Sequence, residues 1–204
     1  MQKQCGTETA DRQVNGMEEV ILASGSPRRR ELLEQVGIPF RVVKSDTEER
    51  MTKTEPSEVV LELSAQKAKA VADTLAEGTV LGADTVVAID GEILGKPADR
   101  DHAAAMLRKL QGRAHSVYTG VTLIRKGREG QTTRSFCRET KVHIHAMSGK
   151  EIEAYLDTGD AFDKAGSYGI QGPFAAYVDG IEGDYCNVVG LPVSAVYQEL
   201  KDLL

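Results

Sequence analysis

The sequence predicts an α/β domain, on three observations. Short apolar runs of strand character alternate along the chain with stretches of helical periodicity. Capping residues and glycines stand at most of the junctions between them. The length, 204 residues, suffices for one sizeable domain or for two small lobes in close contact.

Met1 to Gly16 is polar and aperiodic and reads as a flexible leader, which puts the folded domain at residues 17–204. Val20 to Ala23 is a short strand that runs into Ser24-Gly25-Ser26-Pro27 and then into a helix reaching about Val36. Ser26 is a candidate N-cap, Pro27 suits the first turn and Gly37 stops the helix. Arg28, Arg29 and Arg30 therefore occupy a first turn, where the helix dipole prefers anions. Two readings stand. The arginines form a solvated basic turn, or they bind phosphate together with the free N–H groups of the helix start. No Walker loop supports the second, since Gly91 to Pro97 has the wrong spacing and a proline where Ser or Thr is needed.

Phe40 to Val43 reads as a strand. Asp46, Glu48 and Glu49 then cluster in a loop that is either solvated or metal-binding. In the helix from Pro56 to about Ala76, helical spacing puts Lys67 on one face with Val60, Leu63 and Val71. From that apolar stripe it either snorkels to solvent or aims its charge into a cleft that takes an anion. Thr79 to Ala88 is the most strand-like run, and Asp84 interrupts it. A carboxylate there needs a partner, a hydrogen bond or a metal. Asp90-Gly91 turns the chain, Glu92 to Leu94 returns as a hairpin strand, and Lys96 follows close to the same strand end.

Asp99 caps a helix through Leu110, ended by Gly112, with Met106, Leu107 and Leu110 in the core. Ser116 to Arg125 and Thr133 to Ala146 alternate as the two strands of a long hairpin. His143 and His145 share a strand face there without a third ligand, which favours an ordinary exposed face over a metal site. Ser148 and Glu151 form a capping box for a helix ending near Leu156. Residues 162–172, rich in glycine and polar groups, suit a loop whose backbone approaches a ligand closely. Phe174 to Asp179 and Tyr185 to Val189 read as a closing hairpin, and Pro192 to Leu204 as a terminal helix.

The net charge of −6 argues against a general nucleic-acid binder, so any basic site is local. Cys5, Cys137 and Cys186 are odd in number and form no CxxC pair, which fits a reducing cytosol. No apolar run approaches membrane-spanning length, and the N-terminus lacks the apolar core of a signal peptide. The expectation is a soluble cytoplasmic protein that binds neither nucleic acid nor membrane.

Seven short motifs carry a resemblance to a known family. They are SGSPRR at 24–29, the pair Glu48-Glu49, QKAKA at 66–70, GADT at 82–85, GKP at 95–97, DKAGSYGIQG at 163–172 and GLP at 190–192. In this order and spacing the chain resembles the Maf family of nucleoside triphosphate pyrophosphatases, from about Val20 to Leu204. The resemblance implies a long, twisted mixed sheet with flanking helices, in two lobes around a nucleotide cleft. It also implies hydrolysis of a nucleoside triphosphate to the monophosphate and pyrophosphate, with a divalent cation, Mg²⁺ or Mn²⁺. Arg28, Thr85 and Gln171 match the branch that acts on dTTP and UTP.

Carried over onto these residues, the family pattern implies that Ser24, Arg28, Arg29, Lys67 and Lys96 hold the phosphates. Glu49 is the first expected metal ligand. Asp84 is expected to act as general base, as a second metal ligand, or as both. Thr85 and Gln171 offer a hydroxyl and an amide to a pyrimidine edge. A homodimer is compatible with the resemblance. The alternatives are a pyrophosphatase for modified purines such as 7-methyl-GTP or ITP, and a nucleotide-binding regulator of septum formation.

Overall fold

The computed structural model describes residues 17–45 and 48–203. The expected leader, Asp46 of the acidic loop and Leu204 lie outside the described residues. Among the described residues, seven strands and six α-helices follow one another as β1 (Val20–Leu22), α1 (Pro27–Gln35), β2 (Phe40–Val42), α2 (Pro56–Ala72), β3 (Gly78–Ile89), β4 (Glu92–Leu94), α3 (Arg100–Leu110), β5 (Ala114–Gly127), β6 (Gly130–Ile144), α4 (Gly149–Asp157), β7 (Val178–Glu182), α5 (Tyr185–Val189) and α6 (Val193–Leu203). The sheet is mixed, in the order β2-β1-β3-β5-β6-β7, with β4 paired to β3. β1 is parallel to β2 and β3, and all other pairings are antiparallel. The α/β expectation holds. Among the described residues no helix is long and apolar enough to cross a membrane.

Most expected elements form for the expected reasons. Asp90 and Gly91 both have positive φ, 53° and 77°, the backbone of a tight hairpin turn between β3 and β4. The Asp99 side chain accepts from His102 N at the start of α3. The Ser148–Glu151 capping box is complete in both directions. Ser26 holds the N-cap position of α1, but its side chain makes no cap hydrogen bond.

The end of α2 and the closing hairpin differ from expectation, and β5 and β6 run closer to their shared turn. α2 ends at Ala72 rather than near Ala76, because Lys126 Nζ reaches over from β5 and takes the carbonyls of Ala72 and Leu75, at 3.0 and 2.7 Å. The expected closing hairpin does not form. Pro173 opens a 3₁₀ turn through Tyr177, and the buried Phe174 there packs against Tyr155, Tyr168 and Tyr177. Only β7 follows, and it pairs with β6. Tyr185–Val189 is helix α5, started by the Asp184 carboxylate accepting from Cys186 N at 2.8 Å. A short apolar run reads equally well as strand or buried helix, and here the cap decides.

The sheet packs very differently on its two faces. On one, α1, α3, α4 and α6 cover the main core, with Leu22, Leu33, Leu81, Leu107, Leu123 and Leu200 among its buried residues. On the other, α2 covers the apolar positions of β1, β3 and β5, including Ile21, Val80 and Ile124. α2 approaches so closely that side chains under it are excluded at two points. A Cβ at Gly82 would lie 2.4 Å from Ser64 O, and one at Gly120 would lie 2.3 Å from Val60 O.

Along its outer edge, β3 pairs with β1 only through Leu81 and with β4 only from Val87. Between these contacts Gly82 to Val86 has no partner strand on that side among the described residues. Asp84 and Thr85 sit at the middle of this gap.

Candidate active site

A cleft of about 1110 Å³ opens at the gap in β3. Its walls are the start of α1, the segment before α2, the face of α2 and the loop 160–172. Because the gap lies at a strand edge, residues on both faces of β3 reach the same cleft. Asp84 points to the α2 side and Thr85 to the α1 and α5 side.

Lys67, Asp84 and Glu49 form one cluster. Lys67 Nζ lies 2.5 Å from Asp84 Oδ1 and 3.1 Å from Glu49 Oε1. The lysine and aspartate side chains are only 16% and 13% exposed. Lys67 therefore does not snorkel to bulk water; its ammonium stands between two carboxylates inside the cleft. The seating of α2 explains how. Gly120 is the register partner of Asp84 on β5, and its missing side chain lets the helix lie directly against the strands, which sets Lys67 over Asp84.

Arg29 has most of its donors occupied. Nε donates to Gly190 O at 2.8 Å, Nη1 to Ser24 Oγ at 3.0 Å and Nη2 to Thr85 Oγ1 at 3.1 Å. Burial pulls its guanidinium below the usual arginine range, and the charge of Asp84 opposes that shift. Thr85 Oγ1 is in turn 2.9 Å from Thr119 Oγ1, which donates to Asn187 O at 3.0 Å. Arg29, Ser24 and Thr85 thus make a knit wall in which the fork orders its neighbours. Arg28 is the more open arginine, paired with Asp163 Oδ2 at 3.1 Å.

Lys96 and Gln171 are exposed and both line the cleft. Lys96, Lys44 and Lys53 line the cleft, and none has an ion pair among the described residues. The Lys44 stem lies over Gly25, where an added Cβ would meet its Cε at 3.0 Å. Lys44 was not singled out from the sequence, and neither was Lys53.

The loop 160–172 is organised around Lys164 and Asp160, of which Asp160 carried no signal in the sequence. Lys164 Nζ donates to Asp160 O and to Asp163 Oδ1, at 2.6 and 2.7 Å. Tyr155 donates to Asp160 Oδ2 at 2.8 Å. Although burial pushes the Asp163 carboxyl up, its bonds to Lys164 and Arg28 hold it below the usual range. Gly166, at φ 69°, donates its N–H to Gly95 O at 3.1 Å and ties the loop to the Lys96 segment. Asp163 and Lys164 were visible in the motif DKAG, whereas Thr119 and Asn187 carried no signal of their own. His143 Nε2 lies 2.8 Å from Glu182 Oε1 and His145 Nε2 lies 3.3 Å from Asp179 Oδ1, both carboxylates on β7.

Fold and site together describe an α/β protein shaped to take a polyanion beside a pair of carboxylates. A family model described as Maf-like protein matches residues 19–203, and the chain belongs to that family. A dTTP/UTP pyrophosphatase of Agathobacter rectalis is 50% identical over 201 residues, 92% of this chain and 98% of that one. Proteins of the same name from Thermoanaerobacter sp. and Bacillus cereus are 50% and 47% identical, covering 89% and 91% of this chain and 95% of each relative. The solved structure of the Staphylococcus aureus Ham1 protein overlaps 62% of this chain and 72% of its own at 17% identity, with a TM-score of 0.42, too low to bear on the site.

The family implies a divalent ion, and the acidic side chains of the cleft are its candidate ligands. No group of three or more His, Cys, Asp or Glu suited to a metal is present among the described residues. Glu49 and Asp84 supply two carboxylates on one ammonium. A hard cation of the Mg²⁺ type takes oxygen ligands, and commonly only one or two carboxylates, with phosphates and waters completing the shell. The residues fit such an ion.

Proposed function

We propose that this chain hydrolyses dTTP and UTP, with a divalent cation, to the nucleoside monophosphate and pyrophosphate. The observation that carries the reading is the Glu49–Lys67–Asp84 cluster at the gap in β3, in one cleft with Arg28 and Lys96. The names of the relatives, at about half identity over most of the chain, point to the same substrates.

Phosphoryl chemistry asks mainly for charge neutralisation and a positioned nucleophile. Arg28 and Lys96 meet the phosphates with a fork and a point charge. Arg29 acts through Ser24 and Thr85, which it holds in place. Lys67 takes Asp84 Oδ1, which leaves Oδ2 to accept the proton of an attacking water as the α–β anhydride bond breaks and pyrophosphate leaves. Glu49 and Asp84 would hold Mg²⁺ or Mn²⁺, which when bound neutralises phosphate charge and acidifies water. Gln171 offers its exposed amide to the base edge, and Thr85 shapes the pocket from the other wall. In this reading residues 17–204 form one two-lobed domain that works in the cytoplasm, as a homodimer or alone. Cys137 and Cys186, both free, suit that compartment.

The test is pyrophosphate release from dTTP, UTP, ITP and 7-methyl-GTP, with and without metal, for wild type and Asp84→Asn. The expected result is metal-dependent release of equimolar monophosphate and pyrophosphate from dTTP and UTP. Asp84→Asn is expected to lower kcat by about 10²–10⁴-fold, the range of a lost general base. Turnover of the purines alone would overturn the pyrimidine reading.

A further inference from the structure

Residues 48–55, which carry Glu49 and lead into α2, have no partner strand among the described residues. Their main chain bonds instead to side chains of α2. The Gln66 amide takes both main-chain groups of Arg50: Oε1 accepts from Arg50 N at 3.0 Å, and Nε2 donates to Arg50 O at 2.6 Å. One helical turn earlier, Glu62 accepts from Thr52 N at 2.8 Å and from Thr52 Oγ1 at 2.5 Å. Residues 62 and 66 lie on one face of the helix by their spacing. In extended chain, positions 50 and 52 face one side while 49, 51 and 53 face the other. Glu49, Met51 and Lys53 do line the cleft. The helix stands in for a missing strand, and the alternation delivers every second side chain to the site.

We propose that Gln66 and Glu62 are positioning residues for the metal site, holding the main chain at Arg50 and Thr52 so that the Glu49 carboxylate stays beside Asp84. The inference rests on the metal role given above to Glu49. Glutamine suits position 66 because the task needs a donor and an acceptor in one planar group, which neither lysine nor an ionised glutamate provides. Lys67, the next residue, bonds the Glu49 side chain at 3.1 Å. Two consecutive helix residues thus fix two consecutive residues of the arm, one by its main chain and one by its carboxylate. An arm without these bonds would have to be ordered each time the ion binds, which weakens binding by the entropy lost.

Mn²⁺ binding to the full chain, followed by electron paramagnetic resonance with a non-hydrolysable dTTP analogue present, tests this. The variants are Glu49→Gln and Gln66→Leu, with Glu62→Ala as a second probe of the same contact should Gln66→Leu fold poorly. Glu49→Gln and Gln66→Leu are each expected to weaken Mn²⁺ by about 10–100-fold, the range for residues that orient a metal ligand. Gln66→Leu should keep the wild-type circular dichroism and recover dTTP turnover at saturating Mn²⁺, since Glu49 itself is intact. Wild-type Mn²⁺ affinity in Gln66→Leu, beside weakened binding in Glu49→Gln, would overturn the inference and leave the metal role standing. Unchanged binding in Glu49→Gln would overturn the metal role and this inference with it.

Discussion

His115 lies behind the cleft wall, only 4% exposed. Its Nε2 is 2.7 Å from the hydroxyl of Tyr168, a cleft residue, while Nδ1 has no hydrogen-bond partner among the described residues. Burial, helped by nearby His143, pulls the imidazole down to about 4, against about 6.5 for a free histidine. Between those values the unfolded chain binds more protons than the native one. The contribution is therefore complete above about pH 6.5 and is lost as pH falls toward 4. When lost in full it is on the order of 3 kcal/mol. The urea midpoint should drop between pH 7 and pH 5 in wild type and drop less in His115→Phe. Equal slopes would assign the acid sensitivity to other groups. At this scale the sequence was uneven evidence. Asp84 and Lys67 stood out because a charge in an apolar run demands a partner, and they turn out to be each other's. Arg29 read as a phosphate ligand, yet its main bonds are to Ser24, Thr85 and Gly190, which depend on a chain crossing that no local pattern encodes.

Helix α2 is the element on which the site depends. It carries Lys67 toward Asp84, straps the arm of Glu49 and seats itself on Gly82 and Gly120. Alanine at position 120 would put a methyl carbon 2.3 Å from Val60 O, main chain that cannot rotate away. Gly120→Ala should therefore lift the helix and destabilise the fold by about 1–3 kcal/mol, the usual range for overpacking. Calorimetry would then show a melting temperature lower by roughly 2–12 °C for a domain of this size, with dTTP turnover falling in the same variant. An unchanged melting temperature would mean that the close approach is not needed. The existence of α2 was legible from its periodicity and from Pro56 at its start. Its seat was not, because a glycine in a strand signals close approach without saying what approaches. α5 was missed for a related reason: five apolar and polar residues carry no period, and the Asp184 cap outweighs strand propensity.

For the whole molecule, the cleft follows from how long the strands are and where they stop. β1 ends at Leu22, opposite Leu81, and β4 ends at Leu94, opposite Val87, so between them the longer β3 is paired only with β5 and Asp84 faces the gap. Arg28 and Asp163 join the α1 wall to the loop 160–172 across the opening. A ligand that bridges these walls should stabilise the native state as a whole. At about one hundred times its dissociation constant, a non-hydrolysable dTTP analogue with Mg²⁺ contributes about 2.7 kcal/mol. That corresponds to a rise in melting temperature of roughly 5–11 °C, read by differential scanning fluorimetry. No rise at saturating analogue would mean that the cleft does not take the nucleotide.

The sequence alone determined what depends on neighbours along the chain. The strand–helix alternation, the Asp90-Gly91 turn, the caps at Asp99 and Ser148 and the out-of-place charges of Lys67 and Asp84 all rest on dihedral preference, periodicity and the expense of burying charge. Only the tertiary structure decided which groups meet. The gap in β3, the engagement of Arg29 with its own protein, the tie from Gly166 to Gly95 and the Gln66 strap each join residues separated along the chain. Such pairings are set by how strands and helices of particular lengths pack in three dimensions, and a one-dimensional pattern does not hold that information.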